Sequence, residues 1–189
     1  MRPSCLSGKI TPLRFKGDLF PHNTPETHIL NKVDLYTFLE SEARSLQLDT
    51  KLRTNLNVKV TGSRSNTKPL PGSVYGFCAR LNNNQKSSLF EESSSMGLCR
   101  HKTVEEFQPI ESLGKDVFPL YWGKEQDQFS RFLAHMNGYE GNGATRLYKY
   151  KTLVDIEITY SSITVSEYGA FEYYLLRSYP PLLLTTTQT

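Results

Sequence analysis

At 189 residues, with 38 % apolar and 22 % charged side chains and a formal net charge of +3, the chain has enough material for one core-bearing domain. No window approaches the roughly 18–20 apolar residues that span a bilayer, and Lys9, Arg14, Lys16 and Asp18 break up any apolar leader near the start. The three cysteines, Cys5, Cys78 and Cys99, have no CxxC spacing and fit free thiols in a reducing compartment better than a disulfide framework.

Residues 1–30 carry Pro3, Pro12, Pro21 and Pro25 with no period and read as an extended N-terminal arm. Asn31 is a plausible N-cap for a helix over about 32–47, because Val33, Tyr36, Leu39, Ala43 and Leu46 share one face. In "KLRTNLNVKVTG", Leu52, Leu56, Val58 and Val60 alternate with Arg53, Asn55, Asn57 and Lys59, the pattern of a half-buried strand. A basic loop, "SRSNTKPLPGS", and a short apolar strand, "VYGFCARL", follow. The polar run "NNNQKSSLFEESSSMG" at 82–97 reads as a mobile loop with only Leu89 and Phe90 to bury. Residues 98–121 have no clear period beyond one possible helical turn in "TVEEFQPI".

"GKEQDQFSRFLAHM" places Phe129, Phe132, Leu133 and Met136 at helical spacing. "RLYKYKTLVDIEITYSS" then alternates, with Tyr148, Tyr150, Val154, Ile156, Ile158 and Tyr160 on one face and Lys149, Lys151, Asp155 and Glu157 on the other. That predicts a long strand with a Ser161-Ser162 turn into a hairpin. "FEYYLLRSY" is ambiguous and leans to strand, and 180–189 is a tail. Hairpin-like spacing without βαβ units predicts an α+β fold, a small antiparallel sheet packed with two or three helices, in one domain over 31–179.

Recognised catalytic motifs are missing, and no cofactor is expected. Glycine-rich phosphate loops, GxSxG and HExxH do not occur. Cys99 and His101, even with Glu105 and Glu106, fall short of a zinc ligand set. His22, His28 and His135 stand alone, and His135 reads as a packing or surface residue. Asp155 and Glu157, roughly 7 Å apart on a strand, share their face with lysines and read as a solvated charge ladder.

Charge is unevenly distributed. From Thr50 to Phe90 there is no carboxylate, against seven Lys and Arg, whereas 91–140 has nine carboxylates and five Lys and Arg. If the two half-buried strands are neighbours, Lys51, Arg53, Lys59, Arg64, Lys68, Arg146, Lys149 and Lys151 converge into a surface that attracts phosphate, in lipid headgroups or nucleic acid.

"LYKYKTLVDIEITYSS" and "NLNVKVTGSRSNTKP" resemble two strands of rhabdovirus matrix proteins, the plant-infecting members in particular. The resemblance implies a non-enzymatic viral structural protein that self-associates and bridges the nucleocapsid to the anionic inner face of a membrane. It would reside in the virion and, peripherally bound to membrane, in the host cytoplasm. It assigns Lys59, Arg64, Lys68, Lys149 and Lys151 to membrane or nucleocapsid contact, and Leu89 and Phe90 to docking on a neighbouring copy. Two other expectations stand beside it. One is a viral nucleic-acid-binding accessory protein, coat-like or a silencing suppressor, which binds RNA without sequence preference. The other is a small enzyme, which a pocket holding Asp155, Glu157 and a histidine would indicate.

Overall fold

The structure, a computed structural model, describes residues 33–59, 72–125, 131–137 and 144–184; for 51–59 it describes the backbone, and the side chains of Leu133 and Asn137 lie outside it. The strands are β1 Thr50–Lys59, β2 Ser73–Arg80, β3 Val117–Glu125 and β4 Glu157–Val165. They form one sheet in the order β1-β4-β2-β3, with every neighbouring pair antiparallel. The helices are α1 Leu35–Ser45, α2 Asn83–Ser95, α3 Arg131–Asn137 and α4 Tyr168–Ser178. The α+β class and the antiparallel sheet are as expected, with four α-helices among the described residues rather than two or three.

Alternation along β2 sends side chains into two separate cores. Tyr75, Phe77 and Ala79 join Ile158, Tyr160, Phe132, Met136, Leu89 and the 144–156 segment on one face. Val74 and Cys78 join Trp122, Ile163 and Val165 on the other, beneath α1 and α4. Two register pairs make this packing possible. Tyr75 lies opposite Gly123, and Gly76 opposite Trp122, so each ring crosses a strand where no Cβ obstructs it. β3 carries a bulge, with Phe77 opposite Tyr121 and Cys78 opposite Pro119, which leaves Leu120 as the extra residue. Pro119 is tolerated because β3 is an edge strand.

Several elements differ from the sequence expectations. Asp34 caps α1, its side chain accepting from the Thr37 amide at 3.0 Å; Asn31 lies outside the described residues. The polar run at 82–97 is helix α2 rather than a loop. Asn82 accepts from the Gln85 amide while the Gln85 side chain accepts from the Asn82 amide, each at 2.9 Å. This reciprocal cap satisfies two otherwise orphaned donors. Because α2 has so little apolar surface, Asn82→Ala is expected to cost about 1 kcal/mol and to lower the thermal midpoint by a few degrees in calorimetry.

The long strand from Arg146 does not form. Leu147–Lys149 and Lys151–Leu153 are 3₁₀ turns, and Asp155 sits at φ 67°, so β4 begins at Glu157. Ser161 and Ser162 are buried mid-strand, not a hairpin turn. "FEYYLLRSY" belongs to α4, with Phe171 and Leu175 buried one turn apart. The expected tail is docked as far as Leu184: Leu182 and Leu183 are buried, and their amides donate to the Pro119 and Leu120 carbonyls at 3.1 and 3.0 Å.

Candidate active site

α3 turns Phe132 and Met136 into the aromatic core, and His135, three residues after Phe132, follows them to the sheet. The imidazole is 1 % exposed. It lies 4.6 Å, ring to ring, from Tyr121 and 5.6 Å from Tyr75. The Thr145 amide N–H donates to His135 Nδ1 at 3.1 Å, with Thr145 Oγ1 also at 3.1 Å. An amide can only donate, so Nδ1 is bare and the neutral ring carries its proton on Nε2. Nε2–H therefore donates to Tyr75 Oη, 2.8 Å away. The Tyr75 hydroxyl is left to donate to Tyr121.

A buried histidine, oriented by a third group and bonded to a hydroxyl, has the geometry of a proton-handling pair. Burial pushes the Tyr75 phenol well above its usual range, with Tyr121 adding to the effect and Arg131 opposing it. Burial also raises Tyr121, with Glu172 adding and Arg131 again opposing. Arg131, exposed at the start of α3, thus acts on both phenols, and Glu172 on α4 acts on Tyr121. Glu172 has a side chain only 12 % exposed and pairs with Lys124 of β3 at 2.9 Å. The Glu125 carboxylate accepts from the Arg131 amide at 3.1 Å. Two phenols, an imidazole, two cations and carboxylates from β2, β3, α3 and α4 thus surround one end of the sheet.

Desolvation, reinforced by Arg131, pushes His135 down from 6.5 to about 3. Between those values the unfolded chain binds a proton that the folded chain does not, so stability falls as pH drops from 6.5 towards 3. The full span is worth roughly 4–5 kcal/mol. Urea melts at pH 7, 5 and 4 are expected to show this loss, and His135→Asn to flatten it.

The residues singled out from sequence are spread differently. β1 and β4 are sheet neighbours, with Lys59 opposite Glu157, so the first expected strand meets the part of the second that forms, from Glu157 on. Lys51, Arg53 and Lys59 lie on β1, with their side chains outside the described residues, as are Arg64 and Lys68 altogether. Lys149 and Lys151 are exposed on the 3₁₀ turns, and Arg146 is partly buried before them. Leu89 is fully buried in the chain's own core and Phe90 packs against it, so Leu89 is not free to dock on a neighbour. Asp155 and Glu157 are exposed and far in sequence from the histidine site; Asp155 stands in a turn rather than on a strand face. Nothing in the sequence singles out Tyr75, Tyr121, Arg131 or Glu172, and of the two readings of His135, packing or surface, the structure shows the buried one.

A groove of about 370 Å³ involving Asp34, Phe38, Glu42 and Leu113 lies elsewhere, against α1. Its carboxylates suit no anion. Among the described residues no three His, Cys, Asp or Glu side chains converge to hold a metal ion, and no helix is long and apolar enough to cross a membrane. No family model, curated protein or solved structure matches this chain.

Proposed function

We propose that this protein hydrolyses phosphodiester bonds in nucleic acid, with Tyr75, Tyr121, Arg131, His135 and Glu172 as its working residues. The observation that carries this reading is the Tyr75–His135 hydrogen bond of 2.8 Å with Nδ1 fixed by the Thr145 amide. Tyr75 is fully buried, so the reading requires an opening that admits water and phosphate. There the Nε2–H donated to Tyr75 Oη favours a phenolate, which takes a proton of the attacking water as the water's oxygen bonds to phosphorus. The ester P–O bond breaks and the leaving oxygen is protonated from solvent. Arg131 matches the charge of the transferring phosphoryl group. Glu172, paired with Lys124 at 2.9 Å, would have to exchange that partner for a divalent cation; Mg²⁺ needs only one or two carboxylates when substrate phosphate and water complete its shell. The basic runs at 51–68 and 146–151 favour a polymeric anion over a small phosphate ester. The test is incubation of the purified protein with labelled single- and double-stranded oligonucleotides in Mg²⁺, in Mn²⁺ and in EDTA. Cleavage only with a divalent cation supports the reading; intact oligonucleotide at high enzyme concentration across pH 7–10 overturns it.

One observation favours a second reading, the matrix-type structural protein. The β1–β4 pairing brings residues 55–59 and 157–162 of the resembling segments into one sheet, with exposed Lys149 and Lys151 on the turns before β4 available to an anionic surface. This reading supports salt-sensitive flotation with anionic vesicles, concentration-dependent oligomers and no cleavage.

A further inference from the structure

Thr145, which orients the histidine, is followed at once by an exposed aromatic–basic stretch. Tyr148 is 46 % exposed, although its alternation had placed it on a buried face. Exposed Lys149 and Lys151 follow it. The stretch is rigidly mounted: Leu147, Tyr150 and Leu153 are fully buried, and the Thr152 amide donates to the Glu92 carboxylate at 3.2 Å. Arg146, at φ 53°, keeps a buried Nε without a hydrogen-bond partner among the described residues. Tyr148 is the third residue after Thr145, so its Cα lies within about 11 Å of the Cα of the residue that holds His135.

We infer that Tyr148 is a stacking platform for an unpaired base, with Lys149 and Lys151 on the adjoining phosphates, so that the substrate class is single-stranded or locally unpaired nucleic acid. This rests on the hydrolase reading and narrows it. An exposed aromatic ring beside lysines is how sequence-tolerant proteins hold single strands, since every base offers a π-face. In a duplex the bases are already stacked, and the ring finds nothing to cover.

The test is fluorescence anisotropy with a labelled oligo-dT strand and a mixed-sequence duplex of equal length, in EDTA so that binding is read without cleavage. Tyr148→Ala is expected to weaken single-strand binding roughly tenfold or more and leave duplex binding unchanged, with Tyr148→Trp restoring it. Lys149→Ala with Lys151→Ala should lower the salt slope for the single strand by about 1.4. An unchanged thermal midpoint shows that the exposed substitutions leave the fold intact. Equal single-strand affinity of Tyr148→Ala and wild type overturns the platform, as does an equal loss on duplex and single strand. If the wild type binds through Tyr148 but never cleaves with Mg²⁺, the platform stands and the hydrolase reading fails. If the wild type binds neither probe, both fail.

Discussion

Tyr75→Phe is expected to reduce phosphodiester cleavage by about 10²–10⁴-fold, the usual worth of a positioned proton-transfer group, while the protein stays folded. The substitution removes one oxygen and leaves the ring in place between Phe77, Tyr121 and Tyr160. It strands the His135 Nε2–H inside the core, which costs about 1–3 kcal/mol. Circular dichroism and calorimetry should therefore show a native spectrum with a lowered midpoint. Glu172→Gln should be as damaging to cleavage, and raising Mn²⁺ should partly rescue it if the carboxylate holds the cation. The wild-type pH profile provides a second signature. The Tyr75 phenol is raised well above 10 in the free protein, so its phenolate fraction grows about tenfold per pH unit through the neutral and mildly alkaline range. Rates should climb with pH and level off where the phenol titrates in the substrate complex. A Tyr75→Phe enzyme that cleaves at the wild-type rate removes this tyrosine from the chemistry.

The elements that the sequence revealed are those in which one period dominates. α1 and β1 are amphipathic, and the expected helix over Phe132 and Met136 is α3. The errors have physical causes. In 146–156 the even-numbered alternation competed with a period of three, and the buried residues Leu147, Tyr150, Leu153 and Ile156 follow the latter, as 3₁₀ turns require. α2 has too few apolar residues for any period, and its start was written only in the Asn82–Gln85 cap. β3 was hidden because the Leu120 bulge breaks its alternation and Pro119 argues against a strand interior, a rule that an edge strand escapes. The candidate site was illegible for another reason. Its residues come from four elements, each is an ordinary aromatic or charged residue where it stands, and only the sheet order 1-4-2-3 with α3 folded across it brings Tyr75, Tyr121 and His135 together.

Gly76→Ala should be the most destabilising single methyl that can be added to the sheet. A Cβ at that position would lie 2.1 and 2.4 Å from Trp122 Cζ3 and Cε3, well inside contact distance. Trp122 cannot yield readily: it is fully buried, it packs on Phe38, and its Nε1–H donates to the Tyr179 carbonyl at 2.7 Å. Overpacking of this kind costs about 3 kcal/mol or more, so the thermal midpoint should fall by roughly 6–12 °C. Gly97→Ala is the control, since its Cβ meets nothing within 4 Å and only its φ of 67° opposes a side chain, at about 1–2 kcal/mol. Gly123→Ala separates fold from function. Its Cβ would approach Tyr75 Cζ and Oη to 2.5 Å, and so would drive the hydroxyl off His135 as well as strain the core. Relative to Gly76→Ala it should lose disproportionately more cleavage for the stability it loses. If the two variants scale together, with cleavage tracking only the folded fraction, the Tyr75 hydroxyl has no part beyond packing.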